Sequence, residues 1–262
     1  MDRRVFIKDL GKLGVAMVVV SACGTDRIGS SASTVAATTG SSVTGGPSSS
    51  AAPTTLPATT IGAPPTGLTT WERVRLGSVS AYVLARGGEA TIVDTGVSGS
   101  APAIGDSLGQ IGLGWADVSH VVATHLHPDH IGSWADVMVA ASGAAGYAGH
   151  ADLPAISSPR PLSGLGDGDM VFELRVIATP GHTPGHISLL DESAGILVAG
   201  DSLNGTDGTG LTGANPQYTP DMATANESIA KMAGFDYSVV LVGHGDPVVE
   251  NGSSLVGALV TG

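Results

Sequence analysis

The chain has 262 residues, 23 acidic and 11 basic, for a formal net charge of −12, with 42% apolar residues and one cysteine. A single cysteine excludes an internal disulfide framework. The acidity counts against a nucleic-acid partner, because binding phosphates needs basic surface to neutralise them.

Asp2-Arg3-Arg4-Val5-Phe6-Ile7-Lys8 resembles a twin-arginine export motif, with Asp2 where Ser or Thr is usual, and precedes an apolar stretch from Leu13 to Val20. That stretch is too short for a hydrocarbon core of roughly 30 Å, so residues 1–22 read as a signal peptide and not as a membrane span. Val20-Ser21-Ala22-Cys23 resembles a lipobox. Cys23 is then expected to be lipidated, giving an extracytoplasmic protein anchored to the cell membrane. Residues 23–68 are a Ser/Thr/Ala/Gly/Pro tract with almost no large apolar side chains, too poor in buriable surface to offset the entropy of ordering. They are expected to form a disordered tether. Loss of residues 1–22 removes four basic and two acidic residues, which leaves seven basic against 21 acidic.

Residues 69–262 are long enough for one sizeable core. Strand-like apolar runs are Arg73–Leu76, Ala81–Leu84, Thr91–Val93 and His120–Ala123, then Val171–Ala178, His186–Leu190, Ile196–Ala199 and Val239–Val242. Helices are expected over Ala101–Gln110, Ile131–Val139 and Pro220–Met232, the last with Thr219 as N-cap, Pro220 at the first helical position and Gly234 past its end. Such mixed strands and helices indicate an α/β layered fold.

The densest chemistry is Thr124-His125-Leu126-His127-Pro128-Asp129-His130, between an apolar strand and a short helix. Alternate residues of an extended segment share a side, so His125 and His127 can converge on one ion, while the turn at Pro128 re-aims Asp129 and His130 toward a second. Further candidates follow other strand-like runs: His182 in Thr179-Pro180-Gly181-His182-Thr183-Pro184-Gly185-His186, Asp201 after Ile196–Gly200, and His244 after Val239–Gly243. Loops at strand ends are where a rigid sheet displays functional groups. His120 and His150 stay unassigned, as lone histidines without ligand spacing.

These four motifs, in this order, resemble the metallo-β-lactamase-fold hydrolases over roughly Trp71 to Val249. The resemblance implies a four-layer αβ/βα sandwich. It also implies that His125, His127 and His182 hold one divalent metal, that Asp129, His130 and His244 hold another, and that Asp201 bridges the two. Asp94 would stand behind the ligands, His186 would be a structural hydrogen-bonding residue, and Asp129 would also carry a proton to the leaving group. Imidazoles with few carboxylates and no thiolate suit Zn2+, with Mn2+ or Fe as alternatives. Two such ions sharing a hydroxide would supply the nucleophile, so no serine or cysteine nucleophile is required.

The substrate class is narrowed by departures from particular branches. A bridging aspartate moves the chain away from true dizinc β-lactamases and toward relatives resembling glyoxalase II, acyl-homoserine lactonases and phosphoesterases. Only a short tail follows His244, where glyoxalase II has a helical domain, and Asn204 stands where the lactonases place a tyrosine. Diiron oxygen-reducing relatives carry Glu at the position of His127. The expectation is a hydrolase of a small neutral ester, lactone or thioester. The alternatives are a non-haem iron redox enzyme of persulfide dioxygenase type, a phosphoesterase, a β-lactamase and a metal-binding lipoprotein without turnover. The Gly205–Pro216 segment, rich in Gly, Thr and Asn, is expected to be an insert-like loop bordering the pocket.

Overall fold

The computed structural model describes residues 69–261. The signal peptide, Cys23 and the tether up to residue 68 lie outside the described residues.

The inner strands of each sheet carry apolar side chains on both faces, which is why they read in sequence as continuous runs. β1 (Thr70–Leu76), β2 (Val79–Arg86), β3 (Glu89–Val93), β4 (Val118–Ala123), β5 (Ala145–Gly149) and β6 (Leu162–Leu165) form a six-stranded sheet in that order. The first three strands are antiparallel, and β3 to β6 run parallel. A second sheet is built from β7 (Met170–Val171), β8 (Leu174–Ala178), β9 (Ile187–Asp191), β10 (Ile196–Gly200) and β13 (Val239–Val242), in the order β13-β10-β9-β8-β7. Between β10 and β13, the strands β11 (Leu203–Gly205) and β12 (Leu211–Gly213) form a separate hairpin.

Neighbouring residues on each strand enter different cores. Tyr82, Leu84, Val93 and Val122 of the first sheet meet Val176, Leu189, Val198 and Leu241 of the second in a central core. Val83, Ile92 and Val121 face outward onto Ile104 and Leu108 of α1 (Ala101–Gln110), and onto Trp134 and Met138, which follow the short α2 (Pro128–Ile131) in α3 (Trp134–Ala140). On the other side Ile177, Leu190, Leu197 and Val240 pack against Ile229 and Met232 of α4 (Met222–Met232) and Val256 of α5 (Gly252–Thr261). Helices, sheet, sheet and helices give the four-layer αβ/βα sandwich.

Three sequence expectations need correction. The run Val171–Ala178 is not one strand but the hairpin of β7 and β8, because Phe172 and Glu173 take positive φ of 51° and 58° and turn the chain. The helix expected over Ile131–Val139 is broken between α2 and α3, where Gly132 is pressed against the loop after β3. Its N–H donates to Gly96 O at 2.8 Å, and a Cβ there would lie 2.6 Å from Ser98 N. The helix expected from Pro220 starts at Met222, capped by Asp221, whose carboxylate accepts the Thr224 N–H at 3.0 Å. β5, β6, the β11–β12 hairpin and α5 were not expected from the sequence; β5 is Ala-Gly-Tyr-Ala-Gly and lacks the bulky residues that signal a strand.

Candidate metal centre

The candidate ligands gather at one end of the sandwich, past the C-terminal ends of strands from both sheets. His125 follows β4, His127 is the residue before α2, and Asp129 and His130 lie in that helix. His182 follows β8, Asp201 follows β10 and His244 follows β13. All seven sequence candidates meet there in three overlapping groups: His125 with His127 and His182, His125 with His130 and Asp201, and Asp129 with His130 and His244. Within each group the donor atoms all lie within 4.8 Å of one another.

His127 Nδ1 is 3.1 Å from His125 Nε2 and 2.9 Å from His182 Nε2, so three ring nitrogens point at one place. Asp201 stands between the two outer groups: Oδ1 is 3.3 Å from His130 Nε2, and Oδ2 is 3.4 Å from both His182 Nε2 and His244 Nε2. Asp129 Oδ2 lies 3.3 Å from His244 Nε2 and 3.9 Å from His130 Nε2.

The ring nitrogens that do not converge are held from behind. His125 Nδ1 meets Thr124 Oγ1 at 3.0 Å, His182 Nδ1 meets Thr219 Oγ1 at 3.0 Å, and His244 Nδ1 donates to Ser78 O at 2.8 Å. Thr219, expected to cap α4, instead turns its hydroxyl to His182. Asp94 Oδ2 is 2.8 Å from His130 Nδ1, while Oδ1 accepts the Thr124 N–H at 2.7 Å. Asp94 does this from φ 61°, a strained conformation for a residue with a Cβ and one that concentrates at functional sites. His186 Nε2 accepts the Asp201 N–H at 3.1 Å, and its Nδ1 meets Thr179 Oγ1 at 2.8 Å. Outer partners of this kind fix ring orientation and leave a defined lone pair facing inward.

Electrostatics sort the donors. Burial, aided by the neighbouring His130 and His186, holds His125 well below the ordinary imidazole range, and burial takes His182 to about 4 against the opposing pull of Asp201. Both are therefore neutral imidazoles near pH 7, the form that donates to a cation. His130 goes the other way: burial lowers it, but the carboxylates of Asp94 and Asp201 outweigh that and raise it to about 10. His244 is raised by its hydrogen bond to Asp201, with burial opposing. Burial pushes the Asp201 carboxyl up, yet His130 and His244 hold it far below the usual carboxylate range.

Two buried atoms in this cluster, His130 Nε2 and Asp201 Oδ1, have no hydrogen-bond partner among the described residues. They face each other at 3.3 Å as an ion pair without hydrogen-bond geometry, and a divalent cation held by Asp201 and a deprotonated His130 would satisfy both. The donor set therefore fits metal. Gly243 shows how tightly the cluster is packed, since a Cβ there would lie 2.1 Å from Asp201 Oδ1 and 2.7 Å from His130 Cε1.

The cluster opens into a cavity of 620 Å³ lined by His127, Asp129, His182, Asp201 and His244, and beyond them by Ser78, Pro128, Asn204, Asn215 and Tyr218. Asn204 and Asn215 come from β11 and from the segment after β12, so the Gly205–Pro216 region does border the pocket, partly as a hairpin. His120 and His150 are elsewhere: the His120 ring stacks on Tyr147 with centroids 5.6 Å apart, and His150 packs beside Gly164. Ser78 and Tyr218 were not anticipated from the sequence, and neither lies near a motif.

The metallo-beta-lactamase superfamily model matches residues 74–244. A probable metallo-hydrolase of Bacillus subtilis, YflN, is 42% identical over 94 residues, covering 31% of this chain and 36% of the relative. A hydroxyacylglutathione hydrolase of Rhodospirillum rubrum is 40% identical over 98 residues, covering 35% and 36%. The chain thus spans about a third of each of these relatives. Among solved structures, a metallo-beta-lactamase family protein of Thermus thermophilus superposes with a TM-score of 0.57 at 23% identity, covering 73% of this chain and 78% of that one. With the matched region running from β1 to His244 and enclosing the whole cluster, the chain belongs to the metallo-beta-lactamase superfamily.

Proposed function

We propose that the protein is a dinuclear metallohydrolase acting on a small, uncharged ester, lactone or thioester. The observation that carries this reading is the cavity wall. Beyond the cluster it offers a hydroxyl, two carboxamides, a proline and a phenol, and no lysine or arginine. The cations among the described residues are committed elsewhere. Arg73 and Arg75 pair with Asp246, Arg86 with Glu173 and Asp191, Arg175 with Glu192, and Lys231 with Asp167, while Arg160 donates to backbone carbonyls. A substrate bearing phosphate or a charged carboxylate tail would find no side-chain clamp.

His125, His127 and His182 would hold one ion, Asp129, His130 and His244 the other, and Asp201 both. Zinc suits the donors best. Two such ions would polarise the acyl oxygen and lower the pKa of water. In the reaction water oxygen bonds to the acyl carbon, the bond to the alcohol or thiol breaks, and the water proton passes to that leaving group. We assign that proton transfer to Asp129, whose side chain is 40% exposed and lines the cavity. Asn204, Asn215 and Tyr218 supply neutral hydrogen-bonding groups that orient the rest of the substrate. A relative named as a hydroxyacylglutathione hydrolase supports acyl transfer to water, and the absence of a cationic wall here favours uncharged leaving groups over glutathione.

The same reading places the protein outside the cytoplasm, lipid-anchored through Cys23, on the strength of Arg3-Arg4 and the Val20–Cys23 box. A panel of neutral aryl esters and lactones, acylglutathiones, β-lactams and phosphodiesters, compared by kcat/KM at matched metal loading, tests the substrate class. Neutral esters or lactones should lead with weak salt dependence. A clear preference for a multiply charged anion would overturn the reading.

A further inference from the structure

Asp152 is a fully buried carboxylate that follows β5 and belongs to none of the candidate ligand groups. Among the described residues no cationic side chain pairs with it, although a buried carboxylate without a cation is costly. Three donors satisfy it instead, and their places in the chain are informative. The N–H of Leu126, the residue between His125 and His127, donates to Oδ2 at 3.1 Å. The hydroxyl of Thr183, the residue after His182, donates to the same oxygen at 2.6 Å. The N–H of Gly185 donates to Oδ1 at 2.7 Å.

The close approach is built into the backbone. A Cβ on Gly185 would lie 2.4 Å from Asp152 N and 2.6 Å from Asp152 Oδ1, so only glycine lets the His182 loop reach this carboxylate. One side chain therefore joins the loop after β4 to the loop after β8, across the two sheets.

We propose that Asp152 is a positioning residue that fixes the His125–His127 loop against the His182 loop, so that these three imidazoles converge before any metal arrives. The proposal rests on the metal reading given above. Its chemistry asks for a carboxylate in particular. Three donors reach both oxygens, whereas an amide offers one acceptor oxygen and turns an NH2 toward a donor. Asparagine would keep the side chain's volume but set its NH2 against a backbone N–H, that of Gly185 if its oxygen faces Leu126 and Thr183 or that of Leu126 if it faces Gly185, so the junction between the loops is weakened in either orientation.

The test is zinc affinity of the full chain, read by competition with a chromophoric chelator, in the parent, D152N, T183V and T183S. A His244→Ala background removes a donor of the other triad and so identifies which equivalent has moved. D152N should keep its far-ultraviolet circular dichroism while the equivalent held by His125, His127 and His182 weakens by about 10- to 100-fold and the other does not. T183V should weaken the same equivalent by less, and T183S, which keeps the hydroxyl, should restore it. A folded D152N that binds both equivalents as the parent does would overturn the proposal, as would equal weakening of both. If D152N does not fold, parental affinity in T183V overturns it. A parent chain that takes up no zinc would sink the metal reading and this proposal together, which separates that failure from the others.

Discussion

Two buried charge clusters sit at opposite ends of the same sandwich, and they are completed differently. At the ends of β2 and β9, Arg86 pairs with Asp191 and Glu173, and Thr69 donates to Asp191 while its hydroxyl accepts from Arg86. Ser193 and the Ala194 N–H satisfy the remaining Asp191 oxygen. That network is closed. At the ends of β4, β8, β10 and β13, Asp201 lies within 3.4 Å of three imidazoles, yet one of its oxygens and one histidine nitrogen make no hydrogen bond. Both clusters bear the desolvation cost of buried charge and offset it with opposite charge, but only the first also gives every buried polar atom a hydrogen bond. The second gathers seven metal-donor side chains, and its loss should affect chemistry more than stability.

The largest expected effect follows from removing the carboxylate shared by both ligand groups. Asp201→Ala, and likewise His127→Ala, should lower turnover by more than about 100-fold, since losses confined to outer partners already reach that size. Circular dichroism should stay near that of the parent, because neither change removes a large apolar core group. Turnover equal to the parent's at full metal loading would show that the cluster is not the catalytic centre.

Gly243→Ala probes the same cluster without touching a ligand. Its Cβ would fall 2.1 Å from Asp201 Oδ1, so the carboxylate must move. Zinc affinity and kcat should both fall, by about 10- to 100-fold. Unchanged affinity would mean that the position of Asp201 is not critical.

His244→Ala should act more narrowly. Its side chain is 29% exposed, whereas His125 and His182 are buried and held by Thr124 and Thr219. One zinc equivalent should weaken while the other persists, and loss of both would show that the two groups of donors are not separable.

The Arg86 end should respond in stability alone. Asp191→Asn leaves a buried guanidinium short of one partner and should cost about 3–5 kcal/mol by denaturant unfolding, with kcat/KM of the folded fraction unchanged. Burial raises the Asp191 carboxyl, but hydrogen bonds from Thr69, Ser193 and the Ala194 N–H, together with Arg86, outweigh it and lower its pKa. A carboxyl so depressed contributes stability that is fully present above its unfolded pKa of about 4 and is lost as pH falls through the lower folded value. The parent should therefore lose more Tm on acidification below about pH 4 than Asp191→Asn does. Equal losses would remove Asp191 from the acid-sensitive set.

Ligand spacing made the centre legible in the sequence, because His125, His127, Asp129 and His130 fall within six residues and the other candidates each end an apolar run. The outer partners were mostly hidden. Asp152, Thr219 and Ser78 are lone polar residues whose roles arise only when loops from distant strands meet. Thr219 was misleading for a physical reason: a threonine before a proline has the chemistry of an N-cap, but here its hydroxyl has a buried imidazole to serve. The fold class followed from the apolar runs. Where it was misjudged, at Gly132 and at Phe172-Glu173, a tertiary contact or a tight turn interrupted a periodic pattern.

Whether metal completes the Asp201 end is read out by elemental analysis of the full chain. About two equivalents of zinc or a similar divalent metal per purified chain are expected, falling in Asp201→Ala with the fold intact. A parent chain that stays metal-free after equilibration with excess zinc, or an Asp201→Ala variant that keeps both equivalents at parental affinity, would contradict that expectation.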